Sequence, residues 1–199
     1  MLCAAPIAFP ATEAIAQECP AVEIVFARGT TEAPGIGRVG QAFVDAVRSR
    51  IGDRSLGVYA VNYPASFDFL AAAGGANDAS AHIQQTAINC PATRMVLGGF
   101  SQGAAVIDVI TSVPVPVIGF TDPMPDYVPN HVAAVAVFGN PAAKAGIPLT
   151  ASLLYGARAI DLCNTGDPVC SDGNDITAHS AYPEAGLTGR AADFVARLL

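Results

Sequence analysis

A chain of 199 residues, 52% hydrophobic and only 14% charged, can fill one sizeable core and is too short for two ordinary domains. Its net charge of -7, with ten Lys and Arg along the whole sequence, excludes phosphate-backbone binding, which needs clustered basic side chains, so nucleic acid is no partner. Pro, Gly or charged residues interrupt every apolar stretch before it reaches the length of a membrane helix.

The chain opens on MLCAAPIAFPATEAIAQECP, alanine-rich and apolar, and its first basic residue is Arg28. Ala14-Ile15-Ala16 has the A-x-A form of a signal peptidase site, so residues 1–16 read as the remnant of a signal peptide and 17–199 as a single domain. The positive n-region is missing and Glu13 departs from the pattern; a disordered N-terminal tail is the alternative. Removing the leader takes Cys3 with it and leaves Cys19, Cys90, Cys163 and Cys170, an even number with three possible pairings. Cys163 and Cys170 are close enough in sequence to close a small loop, and Cys19 would then tie the start of the mature chain to Cys90. On chain entropy the short loop contributes roughly 2.5 kcal/mol and the long one roughly 4.4 kcal/mol. Zinc is the competing use of four cysteines, but neither pair has C-x2-C spacing. Secretion with two disulfides and no metal is the preferred reading.

Val22 to Ala27 is a β-branched run that fits a first buried strand. A polar, glycine-rich loop from Arg28 follows it. Phe43, Val44, Val47 and Ile51 recur at helical spacing, which predicts an amphipathic helix over Gly40 to Ile51. Leu56 to Val61 supplies a second strand, stopped at Pro64. The stretch from Ala65 to Ala76 has no clean period and reads as a loop with an apolar face. Asp78 then caps a helix to about Asn89, closed by Cys90-Pro91.

Met95, Val96 and Leu97 form a third strand, followed by Gly99-Phe100-Ser101-Gln102-Gly103 and a helix opening on Ala104 and Ala105. Chance supplies a G-x-S-x-G in about one such glycine-rich chain in ten. Strand, turn and helix around the serine are the context in which those five residues mean a nucleophile elbow. Residues 114–130 carry five prolines and read either as a packed surface loop or as a substrate-facing flap. Val132 to Gly139 and Ala157 to Leu162 are a fourth and a fifth strand, and Leu187 to Leu199 a closing helix. Strands alternating with helices give a parallel sheet covered on both faces, with its chemistry at the carboxyl ends of the strands.

A serine hydroxyl attacks an ester only if a base takes its proton and a third group orients that base. Of three histidines, His82 lies inside a predicted helix and His131 just before a strand. His179 remains, in a loop after the fifth strand and in the order Ser, acid, His of the α/β-hydrolases. The acids near that strand are Asp161, Asp167, Asp172 and Asp175. Asp161 belongs to the strand itself, whereas Asp167 sits at the crown of the loop between Cys163 and Cys170, where a staple would fix it against misplacement. The plain alternative is that Asp167 caps the turn Gly166-Asp167-Pro168. One oxyanion donor is expected from the backbone N–H of Gln102, and a second from the loop beginning at Arg28.

The motifs VFARGT (25–30), GVYAVNYPA (57–65), GGFSQGAAVID (98–108), CNTGDPVC (163–170) and His179 with Ala181-Tyr182 together resemble the cutinase family, and within it the actinobacterial, mycobacterial-type cutinase-like esterases. The resemblance implies a small lidless α/β-hydrolase fold with a five-stranded parallel core sheet, Ser101 as nucleophile, Asp167 as acid and His179 as base. It implies an oxyanion hole from Thr30 and Gln102, the pairs Cys19–Cys90 and Cys163–Cys170, and no metal or other cofactor. The 114–130 loop agrees least with the fungal members, so their substrate range is not carried over.

The expectation is therefore a secreted or cell-wall-associated monomeric serine esterase that forms an acyl-enzyme on short to medium acyl, cutin-like or lipid-like esters. Transient contact with a lipid or polymer surface is expected. A phospholipase A or acyl-thioesterase is the alternative chemistry, and a non-catalytic secreted lipid-binding protein is the rival from another class.

Overall fold

A computed structural model describes residues 19–199; the signal-peptide expectation for residues 1–16 lies outside them. The apolar runs form β1 (Val22–Ala27), β2 (Leu56–Ala60), β3 (Arg94–Phe100), β4 (Val132–Phe138) and β5 (Ala159–Leu162). All pair in parallel in the order β2-β1-β3-β4-β5. The helices are α1 (Gly37–Arg48), α2 (Ala72–Asn89), α3 (Gln102–Ser112), two short ones, α4 (Pro141–Lys144) and α5 (Ile176–Ser180), and α6 (Leu187–Ala196).

The two-residue alternation of the strands divides their side chains between two cores. Ile24, Phe26, Val96, Phe138 and Ala134 pack under α1 and α6 with Phe43, Val47, Ala191 and Val195. Val25, Ala27, Leu97, Val135 and Val137 pack on the other face under α2 and α3 with Ile83, Ala104 and Ile107. The rings of Phe26, Phe43 and Phe138 meet with centroids 5.6–6.5 Å apart, and truncating one of them to Ala costs about 3–5 kcal/mol. The order of strands reverses between β1 and β3: the chain steps outward from β1 to β2, then crosses back and runs through β3, β4 and β5. A crevice outside the carboxyl ends of the strands opens at such a switch point. The disulfides Cys19–Cys90 and Cys163–Cys170 are both formed, the second bridging the loop directly after β5.

Several element boundaries differ from expectation. Helix α1 begins at Gly37 and ends at Arg48, and Ala157 lies in a 3-10 turn ahead of β5. Helix α2 begins at Ala72, entered through a 3-10 turn over Phe69–Ala71 that Asp68 caps by accepting from the Leu70 N–H. Asp78, expected as the cap, is inside the helix. Its carboxylate accepts from the Tyr59 hydroxyl at 3.0–3.1 Å and from the Asn62 N–H at 2.8 Å, so it ties α2 to the end of β2. The proline-rich segment is tied down: Phe120 is buried, and the Asn77 side chain of α2 accepts from the Thr121 N–H and donates to the Gly119 carbonyl.

Candidate active site

β3 ends at Phe100 and α3 begins at Gln102, so Ser101 alone turns the chain, at φ 55° and ψ −118°. The flanking positions admit only glycine. A Cβ on Gly99 would collide with the Gly103 carbonyl, and one on Gly103 with the carbonyl of Ala27 on β1. Among the described residues the non-glycine residues at positive φ are Ser101, Thr31 (φ 65°) and Ala65 (φ 49°). All three meet here: the Thr31 N–H donates to Ala65 O at 2.6 Å, and Gln102 Nε2 donates to the carbonyl of the next residue, Ser66, at 2.9 Å. Strained backbone survives only where its surroundings over-determine it, and such places cluster at functional sites.

His179 comes from α5, a short helix where the sequence suggested a loop. Asp175 starts that helix by accepting from the Thr177 N–H at 2.9 Å. The imidazole packs against the Phe100 ring at 4.9 Å, and Gly139 (φ 59°) leaves room for it, since a Cβ there would press on the ring. Its Nε2 lies 2.9 Å from Ser101 Oγ and its Nδ1 2.8 Å from Asp167 Oδ2.

Asp167 has no exposed surface. Its Oδ1 accepts from the Val169 N–H at 2.8 Å, which is the turn-capping role, while Oδ2 faces His179 and also accepts from the Tyr182 hydroxyl at 2.6 Å. The turn contact and the contact with His179 fall on different oxygens. The other acids are engaged elsewhere or open: Asp175 caps α5, Asp172 is exposed, and Asp161 accepts from Asn140 Nδ2 and the Leu149 N–H. His82 stacks on Tyr59 and pairs with Glu23 at 3.1 Å, and His131 closes the turn before β4.

Gln102 is the first residue of α3, where an N–H has no intrahelical acceptor,. Thr30 follows the end of β1 on a loop held from inside. The buried Arg28 guanidinium donates to the carbonyls of Glu32, Val61 and Tyr63, and the Glu32 carboxylate accepts from the Gly29 and Arg38 N–H groups at 2.7 and 2.8 Å. Through Ala65 and Ser66 this loop is laced to Gln102. Sequence reasoning did not single out the clamp of Arg28, Glu32 and Tyr63, nor the contact of Tyr182 with Asp167. Burial and the Asp167 carboxylate push the Tyr182 phenol far above its ordinary value, so it is a neutral donor,.

A further carboxyl pair, Asp108 on α3 and Asp161 on β5, is half-buried. Burial and the neighbouring Asp161 push Asp108 up to about 7, and burial raises Asp161 also. Cavities of about 350 and 290 Å³ border the C-terminal half of α3 and are not lined by Ser101. Among the described residues no cluster of His, Cys, Asp and Glu is placed to hold a metal ion, and no helix is long and apolar enough to cross a membrane.

A hydroxyl, an imidazole and a buried carboxylate in line, beside a free helix N-terminus, can generate a nucleophile and receive an oxyanion. The family model for Cutinase matches residues 18–199. The chain belongs to the cutinase family. This cutinase-family chain is 58% identical over 179 residues to Phospholipase Culp4 of Mycobacterium tuberculosis, covering 89% of the chain and 78% of that protein. It is 49% identical over 192 residues to Carboxylesterase Culp1 of Mycobacterium bovis, covering 92% and 84%. Among solved structures it is similar to Trichoderma reesei cutinase in complex with a C11Y4 phosphonate inhibitor, at TM-score 0.74 and 32% identity over 90% of this chain and 77% of that one. An acetylxylan esterase aligns with TM-score 0.77 and 25% identity over 91% and 99%. The cutinase-like α/β-hydrolase fold is thus shared, and the cutinase-family chain is a serine-type carboxylic ester hydrolase.

Proposed function

We propose that this chain hydrolyses carboxylic esters through an acyl-enzyme, with Ser101 as nucleophile, His179 as base and Asp167 as the acid that orients it. The reading is carried by the unbroken contact chain Ser101 Oγ, His179 Nε2, His179 Nδ1 and Asp167 Oδ2, at 2.9 and 2.8 Å. His179 takes the Ser101 proton as Oγ attacks the ester carbonyl, and the tetrahedral oxyanion forms against the Gln102 N–H and Thr30. Collapse expels the alcohol with the proton from imidazolium. Water, deprotonated by the same imidazole, attacks the acyl-enzyme and releases the acid. No step calls for a metal or other cofactor.

Replacing Ser101 by Ala should abolish turnover of a p-nitrophenyl acyl ester and labelling by a fluorophosphonate, with the fold intact. Unchanged turnover would sink the assignment; an unlabelled wild type would favour the non-catalytic lipid-binding reading.

For the substrate we favour short to medium acyl esters and lipid-like or polymer esters met at a surface. Phe67, Phe69 and Leu70 are 76%, 63% and 84% exposed, in the segment whose Ser66 is bonded to Gln102, and apolar side chains so placed support transient contact with a lipid or polyester. The relative named as a phospholipase keeps phospholipid as the second reading, with acyl-thioesters behind it. An acyl series from acetyl to palmitoyl with one phospholipid included decides between them. Two disulfides in so small a protein support an oxidising location, secreted or cell-wall associated, and we take the working unit to be a monomer of one domain.

A further inference from the structure

We infer that Tyr182 is a positioning residue of the esterase site: its hydroxyl, donating to the same Asp167 oxygen that faces His179, holds that carboxylate in register and moderates the basicity of His179. The inference rests on the esterase reading and adds to it a group that touches no substrate.

The hydrogen-bond directions follow from chemistry. An ionised carboxylate can only accept, so at 2.6 Å the phenol hydrogen points at Asp167 Oδ2. The phenol oxygen in turn accepts from the Asn164 N–H at 3.2 Å. A chain therefore runs from the Asn164 N–H through the Tyr182 hydroxyl to Asp167 Oδ2, where it meets the N–H of His179 Nδ1 at 2.8 Å. Neighbouring members of such a chain polarise one another. Asp167 and Tyr182 are both fully buried, so no solvent molecule takes the place of a lost donor.

The ring is fixed as firmly as its hydroxyl. Tyr182 stands edge-on to Phe100 of β3 at 5.7 Å and to Phe138 of β4 at 5.8 Å, and Phe100 also carries the imidazole of His179. One aromatic cluster thus positions both partners of the Asp167 carboxylate. The titratable groups facing the phenol are Asp167, His179 beyond it, and Asp161 of β5. Phe100, Phe138 and the disulfide sulfur of Cys170, 3.4 Å from the hydroxyl, bring no charge.

Each donor to Oδ2 draws charge from the oxygen that stabilises the imidazolium. Removing the phenol hydroxyl leaves more negative charge facing His179 and so raises the pH at which the imidazole loses its proton. A stronger donor moves it the other way. A side chain that only filled space would do neither.

The test compares wild type, Tyr182→Phe and a protein with 3-fluorotyrosine incorporated at position 182, a better donor of nearly the same shape. The readouts are pH profiles of kcat/KM on a short p-nitrophenyl ester, and thermal midpoints. Tyr182→Phe should move the acid limb up by about half a pH unit to one unit and lower kcat about tenfold, with KM within about twofold. The fluorinated protein should move the limb down, and it carries the test if the Phe variant fails to fold. Profiles that superimpose on wild type while only the midpoints change would overturn the inference. A wild type without Ser101-dependent turnover would overturn the esterase reading and this role with it.

Discussion

Asp167 meets His179 through one oxygen and the turn of its own loop through the other: Oδ2 lies 2.8 Å from His179 Nδ1, and Oδ1 accepts from the Val169 N–H at 2.8 Å. Every donor around this buried carboxylate needs an acceptor, so an amide in its place must aim its NH2 at an N–H or a hydroxyl. Asp167→Asn should therefore lower kcat by about 10³–10⁴-fold on a p-nitrophenyl ester, with the folded secondary structure retained. A loss below tenfold would assign the orienting role to another acid.

Thr30 lies on the loop clamped by Arg28 and Glu32. In the proposed oxyanion hole its hydroxyl is a donor that matters only when charge develops on the carbonyl oxygen. Thr30→Val keeps the shape and removes the donor, and should lower kcat by about a hundredfold while leaving KM within about threefold. Steady-state kinetics on a short ester separate the two parameters.

Cys163 is exposed and Cys170 buried, so the staple around Asp167 is open to reductant from one side. Mild reduction should lower activity severalfold before any loss of far-UV circular dichroism, because the loop loosens while the sheet and its two cores remain. Full activity after verified reduction of this pair would show that the disulfide does not position Asp167.

Asp108 is raised to about 7 by burial and by Asp161, against a value near 3.9 in the unfolded chain. Between those values the folded state holds a proton that the unfolded state has released. This contribution is therefore present at acid pH and is lost as pH rises from about 4 to about 7. Asp108→Asn cannot ionise, and should flatten the dependence of urea stability on pH in that window and raise stability at pH 8 by about 1–3 kcal/mol. An unchanged slope would mean that the pair is not protonated in the folded protein.

The central strands were legible in the sequence because β1, β3 and β4 are buried on both faces and so appear as unbroken apolar runs. The elbow was legible because its sharp turn leaves no room for a Cβ at Gly99 or Gly103. His179 followed by elimination among three histidines. The start of α2 was not legible, because Ala72 to Ala76 has neither a period nor a capping residue, and because Asp78, which has the right type for a cap, is used instead by Tyr59 and Asn62.

By itself the sequence determined the alternation of strands and helices and an even set of four cysteines, and it singled out a candidate serine, acid and histidine from residue type and order along the chain. Only the tertiary structure decided which polar groups face one another. The switch in strand order between β1 and β3 brings the Thr30 loop, the Ala65-Ser66 bend and the elbow to one crevice. The packing of Phe100 and Phe138 sets Tyr182 beside His179 on a single oxygen of Asp167. Such meetings are imposed by close packing between segments far apart in the chain, and no short-range propensity encodes them.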